Sequence, residues 1–187
     1  LSLDDPVSRY VPGVPNGDRI TVRQLLNHTS GLANYTESLA FNLPTVALRR
    51  VWRTDEVLDV IRRQPPRAEP GAEHYYSNSN YVLLGRVAEM AAGRPFADVL
   101  DEEVLRPLGL TDTFLAAGEE RSPGTVRGYD VTLLGTGRLG IKLDTEPFRA
   151  PLETSAFAAG AVTATAADVA RFTYGLFSDG LLGEGSL

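Results

Sequence analysis

The sequence predicts a mainly α fold carrying a small β-hairpin, on three observations. Apolar residues recur at three- and four-residue spacing in four segments before residue 110. One later stretch, Thr125 to Leu143, alternates instead around Gly135-Thr136-Gly137. A last apolar stripe follows a capping signal at Thr165.

Leu1 to Ile20 is dense in Pro, Gly and Asp and reads as an ordered lead-in without a regular element. A first helix begins at Thr21, where Thr21-x-x-Gln24 forms a capping box. Val22, Leu25 and Leu26 are its stripe, and Gly31 ends the turn with Leu32 folded back. A second runs from Asp55 to Gln64 with Thr54 as N-cap, Val57, Leu58 and Ile61 on one face, and Arg62 and Arg63 at its negative end. Pro65-Pro66 stops it. The third spans about Ser79 to Ala92, with Tyr81, Leu84, Val87, Ala88 and Ala91 inward and Gly93 as the residue past its end. Pro95 opens a fourth, with Phe96, Val99, Leu100 and Val104 inward and an end near Pro107. In the hairpin, Tyr129, Val131 and Leu133 before the glycine turn and Leu139, Ile141 and Leu143 after it alternate with other residues. The last helix starts after Thr163 or Thr165, with Thr165-x-x-Asp168 as a capping box, and carries Val169, Phe172 and Leu176 up to Gly180. Residues 33 to 47 and 111 to 124 read as loop-rich blocks.

At 187 residues the chain can bury one sizeable core, and it contains no apolar run of the roughly 20 residues a membrane span needs. A net charge of -6, with acids scattered along the chain, excludes nucleic acid as the main partner, since phosphate binding needs a basic stripe. Cysteine is absent, which removes disulfides, thiolate zinc sites and a cysteine nucleophile and suits an exported bacterial protein. The 18 basic residues are 17 Arg and one Lys, Lys142. Leu1 is not a start methionine, so any targeting segment is expected to lie outside the chain, which reads as cut at both ends.

The chemistry concentrates at Tyr76-Ser77-Asn78, where a phenol and a carboxamide two residues apart can face one reacting centre. A Tyr-x-Asn arises by chance roughly 0.2 times in a chain with this composition. A phenol with a pKa near ~10 shuttles protons at neutral pH only beside a cation or in a concerted transfer. The plainer reading of Tyr76 is a helix-entrance ring that packs, with its hydroxyl in solvent. Asn78 offers two donors and an acceptor, and its plainer role is the N-cap of the helix that follows. Ser77 has no base at a suitable spacing and is rejected as a nucleophile. His28-Thr29-Ser30-Gly31 reads as a helix C-cap with Gly31 at positive φ, and His74 as a surface-loop histidine. No metal ligand set or cofactor signature is visible. The acid pairs Asp4-Asp5, Glu102-Glu103 and Glu119-Glu120 read as solvated faces or helix ends.

Six blocks in order surround the tripeptide: Leu3-Asp4-Asp5-Pro6-Val7, Ile20 through Leu32, Pro70-Gly71, Tyr76 through Tyr81, Leu84-Gly85 and Ala159-Gly160-Ala161-Val162. Together they resemble the family of class C serine β-lactamases and D-alanyl-D-alanine carboxypeptidases, especially secreted actinobacterial DD-peptidases. The resemblance runs from Leu1 to about Leu182 and is weakest from Asp130 to Leu143. It implies a Ser-x-x-Lys supplying nucleophile and base, a Tyr-x-Asn on a second loop, and a strand motif of the His/Lys-Thr/Ser-Gly kind. Only the second is present. Residue 139, three before the sole lysine, is Leu, so no Ser-x-x-Lys exists in the chain. His28-Thr29-Ser30-Gly31 looks like the strand motif but stands on the wrong side of Tyr76.

The resemblance therefore implies that residues 1–187 form a single helical domain, the insert or lid of a larger catalytic domain. The three-layer α/β sandwich is then absent, and Leu1 and Leu187 should lie on the same side. It implies that Tyr76 relays a proton between the nucleophilic serine and the leaving amine or water, and that Asn78 binds the lysine ammonium and the substrate's acyl-side amide. The parent activity it implies is acyl transfer from D-Ala-D-Ala peptides or β-lactams, in an extracellular or cell-envelope setting. The missing α/β portion would be this segment's partner. A small-ester hydrolase, a non-catalytic lid and a partner-binding module are the alternatives. Carboxypeptidase, transpeptidase, β-lactamase and esterase stay open.

Overall fold

The first residues pair back on the chain through a lone antiparallel bridge between Pro6 and Thr21, which turns Val7, Val11 and Ile20 into the core. The computed structural model describes residues 1–116, 126, 128–130, 143–178 and 181–182. Asp5 is more than part of a solvated pair: it accepts from Tyr10 Oη (2.6 Å), Ser2 N (2.7 Å) and Arg9 Nη1 (2.9 Å) and so closes the lead-in turn.

Helix α1 (Val22–Leu26) starts with the predicted box, Gln24 N donating to Thr21 Oγ1 at 3.3 Å and Thr21 N to Gln24 Oε1 at 3.0 Å. Its end differs from expectation. Thr29 N donates to Gln24 O (2.9 Å) and His28 N to Leu25 O (3.3 Å), a Schellman pair whose left-handed residue is His28, φ 59°, rather than Gly31. Gly31 is also at positive φ, 75°, but serves the next turn, where its carbonyl accepts from Arg67 N at 2.8 Å.

Residues 33–47 are not the expected loop. A 3₁₀ turn (Tyr35–Glu37), α2 (Leu39–Asn42) and a π turn (Leu43–Ala47) follow one another. Each of the first two is started by a polar side chain, Asn34 Oδ1 taking Thr36 N and Ser38 Oγ taking Phe41 N, and both are too short to show a helical period. Tyr35, Phe41 and Trp52 stack through them, with centroids 4.9 and 5.3 Å apart.

Helix α3 (Thr54–Arg63) begins one residue before the predicted start. Glu56 Oε2 accepts Arg53 N at 2.9 Å, so Thr54 lies inside the helix, while Val57, Leu58 and Ile61 are buried as expected. Helix α4 (Asn78–Ala92) also starts one residue early, with Ser77 rather than Asn78 at the N-cap, and Gly93 ends it at φ 69°. Its buried face is Ser79, Asn80, Val82, Leu83, Gly85 and Val87, so of the five residues expected inward only Val87 is fully buried. The apolar period pointed to a face about one residue away, because Ser79 and Asn80 go inward to bind the 28–35 segment.

The fourth predicted helix is α5 (Phe96–Leu100) continued by a π turn, Asp101–Leu105, and its deepest residue is Leu105 rather than Val104. Two strand pairs follow. The unpredicted one joins β1 (Phe114–Leu115) to β4 (Val162–Thr163), antiparallel. In the other, at the base of the expected hairpin, β2 (Tyr129–Asp130) pairs antiparallel with β3 (Leu143–Asp144), Tyr129 opposite Asp144 and Asp130 opposite Leu143. The hairpin's middle, with Lys142, lies outside the described residues, as do Glu119-Glu120, Gly180 and Leu187. The expectation about the two chain ends is outside them too.

Helix α6 (Arg149–Ala156) went unrecognised in the sequence, and the turn Phe157–Ala159 after it packs so closely that a Cβ on Gly85 would meet Ala158 Cβ at 2.5 Å. Helix α7 (Ala166–Ser178) has half of its predicted box, Asp168 N donating to Thr165 Oγ1 at 3.2 Å. The buried Asp168 carboxylate instead accepts from Asp112 N (2.8 Å), Thr113 Oγ1 (2.9 Å) and Arg171 (2.7 Å), tying α7 to the segment before β1. The expected inward stripe is looser than predicted, with Val169 54% exposed.

Two glycines of similar backbone geometry separate strain from crowding. A Cβ on Gly31 would sit 2.2 Å from Ala68 O, whereas one on Gly93 meets nothing within 4 Å. Gly31→Ala should therefore lose about 2–5 kcal/mol and Gly93→Ala about 1 kcal/mol, measured by urea unfolding. Equal losses would remove the crowding argument.

Candidate functional site

The entrance of α4 is fastened to the segment between α1 and α2 by a seam of buried polar groups. Ser77 Oγ and Ser79 Oγ both donate to Ala33 O (3.1 and 2.6 Å), and Ser79 Oγ accepts Tyr35 N at 3.1 Å. Ser30 Oγ, which accepts Leu32 N, donates to Asn80 Oδ1 at 2.6 Å. Asn80 Nδ2 lies 3.0 Å from His28 Nδ1, and Ser77 N donates to the same nitrogen at 3.3 Å. A backbone N–H can only donate, so His28 Nδ1 is bare and the ring proton sits on Nε2. Ser77, its hydroxyl buried and committed, cannot attack a substrate, in agreement with its rejection from the sequence.

Backbone carbonyls of the same segment carry the preceding loop. His28 O accepts Tyr75 N (2.9 Å), Thr29 O accepts Gly71 N (2.8 Å) and Gly31 O accepts Arg67 N (2.8 Å). His28-Thr29-Ser30-Gly31 is thus the bed on which residues 67–80 lie, a role missed when it was read as a helix cap alone. The signal was present in Ser77-Asn78-Ser79-Asn80: four small polar residues opening an apolar helix need internal partners if they face inward.

Tyr76 and Asn78 meet on this bed. The Tyr76 hydroxyl donates to Asn78 Oδ1 at 3.2 Å, while 59% of the residue is exposed. Its ring lies 4.7 Å from that of His28, which also stacks on Tyr81 at 5.2 Å. So Tyr76 has a packed ring at a helix entrance in a residue that is mostly exposed. Asn78 is the first helical residue rather than its cap. Asn78 N and Nδ2 both donate to Asn34 Oδ1 (3.2 and 3.3 Å), which leaves the carboxamide oxygen facing Tyr76. Asn34 Nδ2 in turn reaches Glu37 (3.3 Å), which accepts Tyr75 Oη at 2.7 Å and raises that phenol's pKa. Burial raises the Tyr35 phenol further, so it stays protonated and donates to Ser155 O at 2.7 Å.

His74 is exposed, as expected, with its ring edge 6.0 Å from His28. Among the described residues, no group of three or more His, Cys, Asp or Glu could hold a metal ion, and no helix is long and apolar enough to cross a membrane.

Two variants distinguish frame from exposed chemistry. Asn80→Ala strips partners from Ser30 and His28 and should cost about 2–4 kcal/mol, whereas Tyr76→Phe should stay within about 0.5 kcal/mol. Denaturant melts of both test this, and an Asn80→Ala loss as small as that of Tyr76→Phe would contradict the seam. Burial, helped by the nearby His74, lowers the His28 pKa. The folded state therefore binds this proton less tightly than the unfolded chain. The resulting stability is complete above about pH 6.5 and is lost as pH falls through the lowered value. The melting temperature of the wild type should fall more steeply from about pH 7 to about pH 5 than that of His28→Asn.

A family model described as Beta-lactamase matches residues 1–187. The chain is 30% identical, over 195 aligned residues, to Penicillin-binding protein 4 of Amycolatopsis lactamdurans, covering 100% of this chain and 47% of that protein. Two solved structures share its fold. A D-stereospecific amidohydrolase from Streptomyces sp. superposes with a TM-score of 0.84 at 30% identity, over 98% of this chain and 56% of that one. A D-amino acid amidase from Ochrobactrum anthropi SV3, complexed with D-phenylalanine, does so with a TM-score of 0.81 at 32% identity, over 98% and 52%. The chain spans less than half the length of such curated relatives, 47% of the Amycolatopsis protein and 25% of Penicillin-binding protein 4* of Bacillus subtilis (strain 168).

Proposed function

The chain belongs to the beta-lactamase family, and on that premise we propose that it is the helical portion of a serine acyl-transfer hydrolase acting on D-amino-acid peptides, amides or β-lactams. The observation that carries this reading is Tyr76: an exposed phenol on a rigid bed, hydrogen-bonded only to Asn78 among the described residues. The D-stereospecific names of the two structural relatives favour carbonyls attached to D-configured residues.

In this reading a serine outside the chain, activated by a lysine of the Ser-x-x-Lys type, attacks the substrate carbonyl. Its Oγ–C bond forms as the C–N bond breaks. The serine proton passes by way of Tyr76 to the departing amine, and water then cleaves the ester and returns a proton to the serine. Asn78, its amide group tied to Asn34, presents its carboxamide oxygen beside the phenol, where a lysine ammonium or a substrate N–H finds an acceptor. Residues 1–187 act as an insert or lid whose partner is the α/β portion of the same protein. The cell envelope is the setting where such substrates occur.

In the full-length protein, Tyr76→Phe should lower kcat/KM on D-phenylalanine amide or a chromogenic cephalosporin by roughly 10²–10⁴-fold while the fold is retained. Incubation with a penicillin should give a stoichiometric mass adduct on the full-length protein and none on residues 1–187 alone. An adduct on the isolated segment, or full activity in Tyr76→Phe, would reject the assignment.

A further inference from the structure

His28 makes contact with three consecutive residues of the Tyr76 loop. Its carbonyl accepts Tyr75 N (2.9 Å), its ring lies 4.7 Å from the Tyr76 ring, and its Nδ1 accepts Ser77 N (3.3 Å). The Tyr76 hydroxyl itself has only Asn78 among the described residues, two positions away at 3.2 Å. The direction of the phenol is therefore set by where its ring rests. His28 also holds a left-handed backbone conformation, φ 59°, that a β-carbon disfavours and that glycine or asparagine would adopt with less strain. A helix cap alone gives no reason for an imidazole there.

We propose that His28 is the positioning residue for Tyr76, with its neutral imidazole serving as the platform that aims the phenol, and that protonation at Nδ1 undoes the platform. This rests on the reading of Tyr76 given above. The argument is steric and directional. Nδ1 faces two N–H groups, Ser77 N and Asn80 Nδ2, and a proton on it would set donor against donor. Turning the Asn80 amide would relieve only one of the two, because Ser77 N is a backbone donor that cannot reverse. The ring must then leave its place, and the phenol loses its support. The titratable groups packed against His28 are Tyr76 and His74 from the loop and Tyr81 from α4, and the neighbouring His74 opposes a positive charge on His28.

The test separates the ring from the acceptor. His28→Asn keeps an acceptor near Nδ1 and tolerates positive φ but removes the platform; His28→Phe keeps a ring and loses the acceptor; His74→Asn is the control. In the full-length protein with D-phenylalanine amide, both His28 variants should lower kcat about 10-fold or more, with KM within about twofold. His74→Asn should leave both within about twofold. The acid limb of the wild-type kcat profile should coincide with the His28 titration followed by ¹⁵N NMR, in which the Nε2–H tautomer is seen at neutral pH, and should vanish in His28→Asn. A folded His28→Asn with wild-type kcat and an unchanged acid limb would overturn the proposal, as would an Nδ1–H tautomer. If Tyr76→Phe is itself fully active, the functional reading fails; if Tyr76→Phe is inactive and His28→Asn is not impaired, only the positioning role fails.

Discussion

Burying hydrogen-bonding side chains at the start of α4 is the constraint on which the remaining structure turns. Ser77, Ser79 and Asn80 are fully buried, and each would cost about 1–3 kcal/mol if left unpaired. They are paired only if the chain between α1 and α2 passes within hydrogen-bond reach. This single requirement sets the rotation of α4 about its axis, the path of residues 28–35 and the seating of the loop before Tyr76. The apolar core of Val82, Leu83 and Val87 against Val22, Leu25, Val57 and Leu58 supplies the larger share of the stabilisation, but it is non-directional. The seam is what makes the arrangement unique.

That division explains what was legible in the sequence. Helices α3 and α4 could be read to within a residue, because capping residues and three- to four-residue spacing are local signals. The capping box at Thr21 and Gln24 was legible for the same reason. The face of α4 was not, since the period counts apolar residues, and here Ser79 and Asn80 share the buried face with them. The short turns of 35–47 escaped because four or five residues cannot display a helical period. The β1–β4 pair escaped because Phe114 and Thr163 lie far apart in the sequence, with nothing local to join them.

The site shows the same pattern with a different emphasis. Tyr76 and Asn78 could be named from type and spacing, and the structure brings their side chains together, but their mutual geometry depends on Asn34 and His28, more than 40 positions earlier. Asn34 carried no motif of its own. His28 was visible as part of a segment that looked like a helix end, and it is one; the Schellman geometry is what turns its ring toward the loop. A local capping rule and a long-range contact are satisfied by the same backbone conformation.

The loop over residues 67–75 hangs from His28, Thr29 and Gly31 by main-chain carbonyls. Main-chain bonds are indifferent to side-chain identity at the donor, provided it is not proline. The exposed Ala72 can therefore exchange its side chain while the phenol further along stays put, whereas Arg67, paired with Glu73 and lying 3.9 Å over the Tyr75 ring, adds a side-chain hold of its own. Such a scaffold leaves the outer face of the loop open to substitution without moving the ring beside it.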